Sequence, residues 1–198
     1  MNETLASSQN PDLFSAAEAV AAGIDFAELS VSPAGLFWNE FRPQDAASRI
    51  WRWSNGATTC LTPDGFSVRS RVYEYGGGSF CLTDDAVAFV NEADQQIYVQ
   101  PFDANTPQAL TQGDKRYGDV RFARGQILAV EEENDVHRLV AINRVDGGRE
   151  VLAEGADFYA SPTLSPDGNR MVWIAWWRPP QPWTSTRLLS VERQADAT

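Results

Sequence analysis

The chain has 198 residues, 43% hydrophobic and 22% charged, enough to bury a core and too apolar to be disordered by composition. A net charge of -11, from 27 acidic and 16 basic residues, argues against a nucleic-acid groove, which needs concentrated Lys and Arg; a cationic partner fits the charge, and a plain solvating surface fits it better. Two cysteines (Cys60, Cys81) and one histidine (His137) argue against a disulfide scaffold and a zinc site, and no run approaches the ~20 apolar residues of a membrane helix. No basic start followed by an apolar core marks a signal peptide. The expected location is therefore cytoplasmic, with no cofactor, metal, nucleic acid or membrane.

Residues 1–26 are predicted as a polar tail and a short helix. Leu13, Phe14, Ala17, Val20 and Ala21 fall at helical spacing between a capping Asp12 and a stop at Gly23. Residues 27–192 switch to short strands divided by turn residues. Four apolar strands recur, starting at Leu36, Val87, Ile127 and Met171, each behind a turn such as Ala123-Arg124-Gly125 or Ser165-Pro166-Asp167-Gly168. A preceding strand recurs at Ala27–Val31, Gly78–Leu82, Asp119–Phe122 and Ala160–Leu164, and a following one at Arg49–Trp53, Gln96–Gln100, Arg138–Ile142 and Arg187–Val191. Closing segments at Thr58–Thr62, Gln108–Thr111 and Glu150–Ala153 complete three units.

Four antiparallel strands in roughly 40–50 residues is the unit of a β-propeller blade. The alternative is a sandwich with accidental spacing. The fold class expected is all-β: a partial propeller of about four four-stranded blades, with the fourth stopping after its third strand and a polar tail over 193–198. A blade cannot cover both of its faces alone, so an unclosed set predicts self-association.

The run Arg71-Val72-Tyr73-Glu74-Tyr75-Gly76-Gly77-Gly78 stands apart. Three glycines at a strand start cost chain entropy, so something must require them. One reading is a backbone nest facing a cavity; the other, favoured by the glycines alone, is a tight crossing in a crowded sheet. Neither a P-loop nor a dinucleotide fingerprint fits, because no Lys-Ser/Thr follows and no G-x-G-x-x-G opens a helix.

Val68-Arg69-Ser70-Arg71-Val72-Tyr73-Glu74-Tyr75-Gly76-Gly77-Gly78 resembles the pattern V-R-[ST]-R-V-[HY]-E-Y-G-G-G. That pattern belongs to N-terminal propellers of the prolyl oligopeptidase family of serine peptidases, in the bacterial dipeptidyl aminopeptidase or acylaminoacyl-peptidase-like branch. Asn91–Tyr98, Leu110-Thr111 with Arg116–Asp119, and Asp157–Pro162 with Leu164–Gly168 are similar to further family segments in the same order. One loop departs: after Ala175-Trp176 the family commonly continues D-H-P-x-M-P-W-D, whereas this chain has Trp177-Arg178-Pro179-Pro180-Gln181-Pro182-Trp183-Thr184. The resemblance implies a propeller that caps an α/β-hydrolase domain, admits short peptides and helps select their ends. It implies hydrolase chemistry for the whole enzyme, yet this chain offers no nucleophile. No G-x-S-x-G occurs, and His137 has no serine partner in sequence and reads as a surface residue. The alternative reading is a stand-alone, non-catalytic propeller module that binds protein.

Arg69, Arg71, Glu74 and Tyr75 are the candidates for residues at the axial tunnel or a domain interface, with a blade-to-blade salt bridge as the plainer account. Trp177 and Trp183, in the Pro-rich loop, are the candidates for exposed contact residues, while alternation sends Trp173 to the core. The acids Glu131, Glu132, Glu133 and Asp135 could hold a cation or an amino terminus, and read more simply as a solvated connection. Asp84-Asp85 read as turn formers.

Overall fold

A computed structural model describes residues 23–192, so the helix expected over 12–22 and the tail over 193–198 lie outside the described residues. Among the described residues fifteen strands form four sheets, each a meander in chain order. Blade 1 holds β1 (Asp25–Ser32), β2 (Gly35–Arg42), β3 (Ala47–Ser54) and β4 (Ala57–Cys60). Blade 2 holds β5 (Phe80–Leu82), β6 (Ala86–Val90), β7 (Ile97–Pro101) and β8 (Gln108–Ala109). Blade 3 holds β9 (Arg116–Ala123), β10 (Gln126–Glu133), β11 (Val136–Asn143) and β12 (Arg149–Ala153). Blade 4 holds β13 (Phe158–Leu164), β14 (Arg170–Trp176) and β15 (Arg187–Glu192), so among the described residues it has three strands. All pairings are antiparallel. Two-residue turns with both φ positive, Asn55-Gly56, Arg124-Gly125 and Asn134-Asp135, close three of the hairpins, as the right-handed twist of paired strands demands.

The first strand of each blade lies innermost, with β1 against β5, β5 against β9 and β9 against β13. This is an unclosed propeller of four blades with three apolar layers between them. Phe37, Ile50, Val87 and Phe89 fill the layer between blades 1 and 2. Ala88, Val90, Ile127, Ala129, Val140 and Ile142 fill the next. Val130, Leu139, Tyr159, Met171, Trp173 and Ala175 fill the third. Strand alternation does the sorting: on β6, Val87 and Phe89 face blade 1 while Ala88 and Val90 face blade 3. Trp173 is core, as alternation predicts.

Each inner strand carries, within it or just before it, a residue with left-handed backbone: Glu28 (φ 54), Gly78 (φ 57), Asp119 (φ 48) and Ser161 (φ 56). In blades 1, 3 and 4 the ladder register shifts at this point, so these are bulges that re-aim a side chain. Glu28 is aimed at blade 2, where its carboxylate accepts from Ser79 N (2.8 Å), Phe80 N (3.2 Å) and Ser79 Oγ (2.8 Å). Asp119 is aimed at blade 4 and accepts from Ser161 N. Between blades 2 and 3 the backbone itself makes the join: Asp119 N donates to Gly77 O (3.1 Å) and Val120 N to Gly78 O (2.9 Å). A Cβ on Gly78 would stand 2.4 Å from Asp119 Cα, and one on Gly76 2.2 Å from Ser70 O. The glycine run is thus a tight crossing of two inner strands.

Candidate functional site

The rim on which the inner strands begin carries the connection 61–79, the hairpin turns β6–β7 and β10–β11, and the loop between β14 and β15. Arg69, Arg71, Glu74, Tyr75, Trp177 and Trp183 all lie on it. The structure divides them. Arg69 and Arg71 both pair with Glu92 of the β6–β7 turn, at 3.5 and 3.2 Å. Burial works against the Glu92 carboxylate, but the Ser67 hydroxyl and the two guanidinium groups hold its pKa below the usual carboxylate value. Trp177 donates Nε1–H to Gly155 O (3.0 Å) and lies under the Arg187 guanidinium, apart from the other candidates.

Glu74, Tyr75 and Trp183 meet around one cleft of about 550 Å³. Tyr73 joins them from the same connection, Glu132, Asp135 and His137 come from the β10–β11 hairpin, and Phe158 and Trp176 come from blade 4. The β14–β15 loop adds Arg178, Gln181 and Pro182. Tyr73 anchors the inner wall. It sits at φ 60 and Glu74 at φ 64, conformations a non-glycine residue adopts only when its surroundings impose them. Here its N–H donates to Glu132 Oε2 (2.8 Å), and its hydroxyl donates to Tyr159 O and accepts from Tyr159 N, both at 2.9 Å. Burial pushes that hydroxyl well above the ordinary phenol pKa.

Behind Tyr73 the rings of His137, Phe158 and Trp176 form a near-parallel stack, with interplanar angles of 20° and 11°. The Tyr73 ring meets His137 and Phe158 edge-on, at 4.5 and 5.2 Å. Arg178 lays its guanidinium 5.2 Å over Phe158. The rim in front is open: Tyr75 is 93% and Trp183 80% exposed.

Two expectations are corrected here. His137 is not a surface residue: it is buried within β11, with Nδ1 2.5 Å from Asp157 O and Nε2 3.5 Å from Glu132. A carbonyl only accepts, so Nδ1 carries a hydrogen and Nε2 is turned to the carboxylate. Nor are Glu131–Glu133 a solvated connection, because they end β10 and are held by partners from elsewhere in the fold. Glu131 is fully buried and held by Arg149 at 2.5 and 2.6 Å. Glu132 is shared by Tyr73 N, His137 and Arg116. Glu133 pairs with Lys115 (2.9 Å), which holds its pKa below the usual value. Arg116 also pairs with Glu74, at 2.6 Å.

Sequence reasoning missed His137, Phe158 and Arg178 as cleft residues and set Glu132 aside as one of a solvated run. One signal was available: the departure after Trp176 marks the loop that supplies Arg178 and Trp183. A second cavity, about 390 Å³, runs between the inner strands and is lined by Glu28, Leu29, Phe80 and Arg121 among others. Among the described residues no group of three His, Cys, Asp or Glu could hold a metal ion, and no helix is long and apolar enough to cross a membrane. Among its lining residues the cleft has stacked rings, carboxylates and one guanidinium.

No protein-family model and no curated protein matches the chain. Solved structures do. A puromycin-hydrolyzing peptidase from Mycobacterium tuberculosis is 27% identical with a TM-score of 0.78, over 87% of this chain and 29% of that one. Puromycin hydrolase, as a serine-to-alanine mutant complexed with PGG, is 25% identical with a TM-score of 0.81, over 90% of this chain and 32% of that one. A prolyl endopeptidase, 14% identical with a TM-score of 0.58, matches 85% of this chain and 25% of its own, and shows the fold alone. The chain therefore spans about a third or less of these enzymes' length. In its motifs and in its fold, the chain resembles the N-terminal β-propeller region of the prolyl oligopeptidase family of serine peptidases.

Proposed function

We propose that this chain is the substrate-gating propeller part of a prolyl-oligopeptidase-like serine peptidase that acts on short peptides, its bond chemistry residing in an α/β-hydrolase domain of a longer protein. The observation that carries the reading is the match over 87–90% of this chain to only 29–32% of two puromycin-hydrolysing enzymes. On this reading the rim that carries the cleft looks onto the catalytic domain. Its contribution is steric exclusion and positioning, which raise the effective concentration of a correctly oriented peptide without touching the scissile bond. Arg69, Arg71, Glu74, Tyr75 and Trp183 are the proposed contacts to substrate or to that domain, with Trp177 at the loop's other end. The cytoplasmic location expected from the sequence belongs to the same proposal.

The open faces favour further blades as neighbours. Leu188 (74% exposed) on β15, on the face opposite the core-packed Leu189, is apolar and uncovered. A second copy is the other occupant they would accept, and it would suit the stand-alone binding module.

The test is to read and express the longer open frame and assay it on puromycin and on aminoacyl and dipeptidyl p-nitroanilides. The expected result is hydrolysis that needs a serine within a G-x-S-x-G downstream of this chain, with none from the 198 residues alone. A longer product that contains such a serine yet cleaves no peptide or amide would refute the peptidase reading. A frame that ends without one would support the binding module.

A further inference from the structure

We infer that the cleft between Tyr73, the β10–β11 hairpin and the β14–β15 loop is a subsite for a planar aromatic ring on a neutral or cationic ligand, namely the aromatic residue of a short peptide or aminoacyl amide. The ligand class rests on the peptidase reading; the preference for a ring rests on the cleft itself.

Two observations carry it. The first is the placement of the aromatic side chains. His137, Phe158 and Trp176 are stacked on one another and met edge-on by Tyr73, which fixes a rigid aromatic wall. Trp183 and Tyr75 line the same cleft at 80% and 93% exposure, so they bury little of their area against this fold. A cluster that served only packing would close on itself. This one leaves an open cleft of about 550 Å³ lined by the stacked rings and by two exposed ones, a volume within the range of small-molecule sites. Ring-on-ring contacts in offset-stacked or edge-on geometry are worth more than the area they bury, so the space favours a ring over a branched chain of similar size.

The second is charge. Glu74, Glu132 and Asp135 line the space with three carboxylates against the one guanidinium of Arg178. Arg116, paired with Glu74 and Glu132 at 2.6 and 3.3 Å just outside the lining, offsets a second carboxylate, so the surround keeps one negative charge in excess. An anionic ligand therefore meets a net repulsive surround, while an amide with a free ammonium group does not.

The experiment is isothermal titration of the 198-residue chain with phenylalaninamide, leucinamide and 3-phenylpropionate. Saturable binding of phenylalaninamide is expected, with leucinamide about three- to tenfold weaker, the difference an aromatic pair makes. The anionic 3-phenylpropionate, which keeps the ring, should be weaker still. Trp183→Ala should weaken phenylalaninamide about three- to tenfold, weaken leucinamide less and leave the thermal melt in place, because the side chain is exposed. In the longer enzyme the same variant should lower the kcat/KM ratio of phenylalanyl over leucyl p-nitroanilide by a similar factor. Equal binding of the two amides, no binding of either, or a Trp183→Ala variant altered only in self-association would overturn the inference. A longer protein that cleaves peptides without regard to Trp183 sinks this inference and spares the peptidase reading. Ring binding in a chain with no hydrolase downstream does the reverse.

Discussion

Strands β6 and β15 are both rich in apolar residues, and they meet opposite fates. Every residue of Ala86–Val90 is buried, because blade 1 covers one face of β6 and blade 3 the other. On Arg187–Glu192 only Leu189 packs on the core, while Leu188 and Val191 stay exposed. A strand's local sequence is enough to make it a strand; whether its side chains stabilise anything is decided by the blade stacked on it. The interior of this chain and its ends should therefore answer to mutation by very different amounts.

Phe89→Ala tests the interior most severely. Phe89 is fully buried, stacked on Tyr98 (5.9 Å) and met edge-on by Phe66 (6.0 Å). Truncation leaves a cavity between two blades, with an expected loss of about 3–5 kcal/mol, read as a lower urea midpoint. A loss below about 1 kcal/mol would mean that blades 1 and 2 are not closely packed, and the contrast between β6 and β15 would fail.

Gly78→Ala asks whether the glycine run is a crossing or a ligand nest. An added Cβ meets the backbone at Asp119 Cα, and φ 57 is itself unfavourable for alanine. Backbone strain and overpacking together should cost about 2–4 kcal/mol. A variant that melts normally and merely binds less ligand would favour the nest. Gly77→Ala, where no atom lies within 4 Å, carries only the cost of its positive φ and should be the milder of the two.

Glu28→Ala removes the latch between blades 1 and 2 and leaves Ser79 N and Phe80 N without their acceptor, at an expected cost of about 1–3 kcal/mol. Glu28→Gln keeps one acceptor oxygen and should recover part of the loss. If Ala and Gln variants melt together, the carboxylate is not what joins the blades.

How much of this was legible in the sequence follows from the range of each signal. Strand positions and turns are local, so Val87–Val90, Ile127–Val130 and the Ser165-Pro166-Asp167-Gly168 turn could be placed from alternation and turn residues. Burial of polar groups is not local. Glu131 looked like one of a solvated run because Arg149, its partner, arrives from the far side of the hairpin on β12. His137 looked exposed because the rings that enclose it, Tyr73 and Phe158, belong to the blade 1–blade 2 connection and to blade 4. The cleft was half legible. Glu74, Tyr75 and Trp183 stood out as charged or aromatic residues in loops, whereas Phe158 and Trp176 are strand residues whose letters are those of any core.

The smallest expected effect is also the one that best separates an unfinished ring from a finished one. Leu188→Ser replaces a side chain that is 74% exposed on β15, across the ladder from Ile174. It breaks no cap, network or cavity wall, so its own stability should move by less than about 0.5 kcal/mol. If β15 is the open side of a partial propeller, however, Leu188 is a sticky site, and a polar group there should reduce self-association of the 198 residues at high concentration, measured by light scattering. In a longer protein, where another blade would cover β15, the same substitution should instead behave like a core mutation and cost on the order of 2 kcal/mol, because Leu188 would then be buried. The sign of the context effect is what matters: mild in the short chain and severe in the long one says that the face is completed by sequence beyond these residues. Mild in both says that β15 faces solvent in the finished molecule, and the four blades stand by themselves.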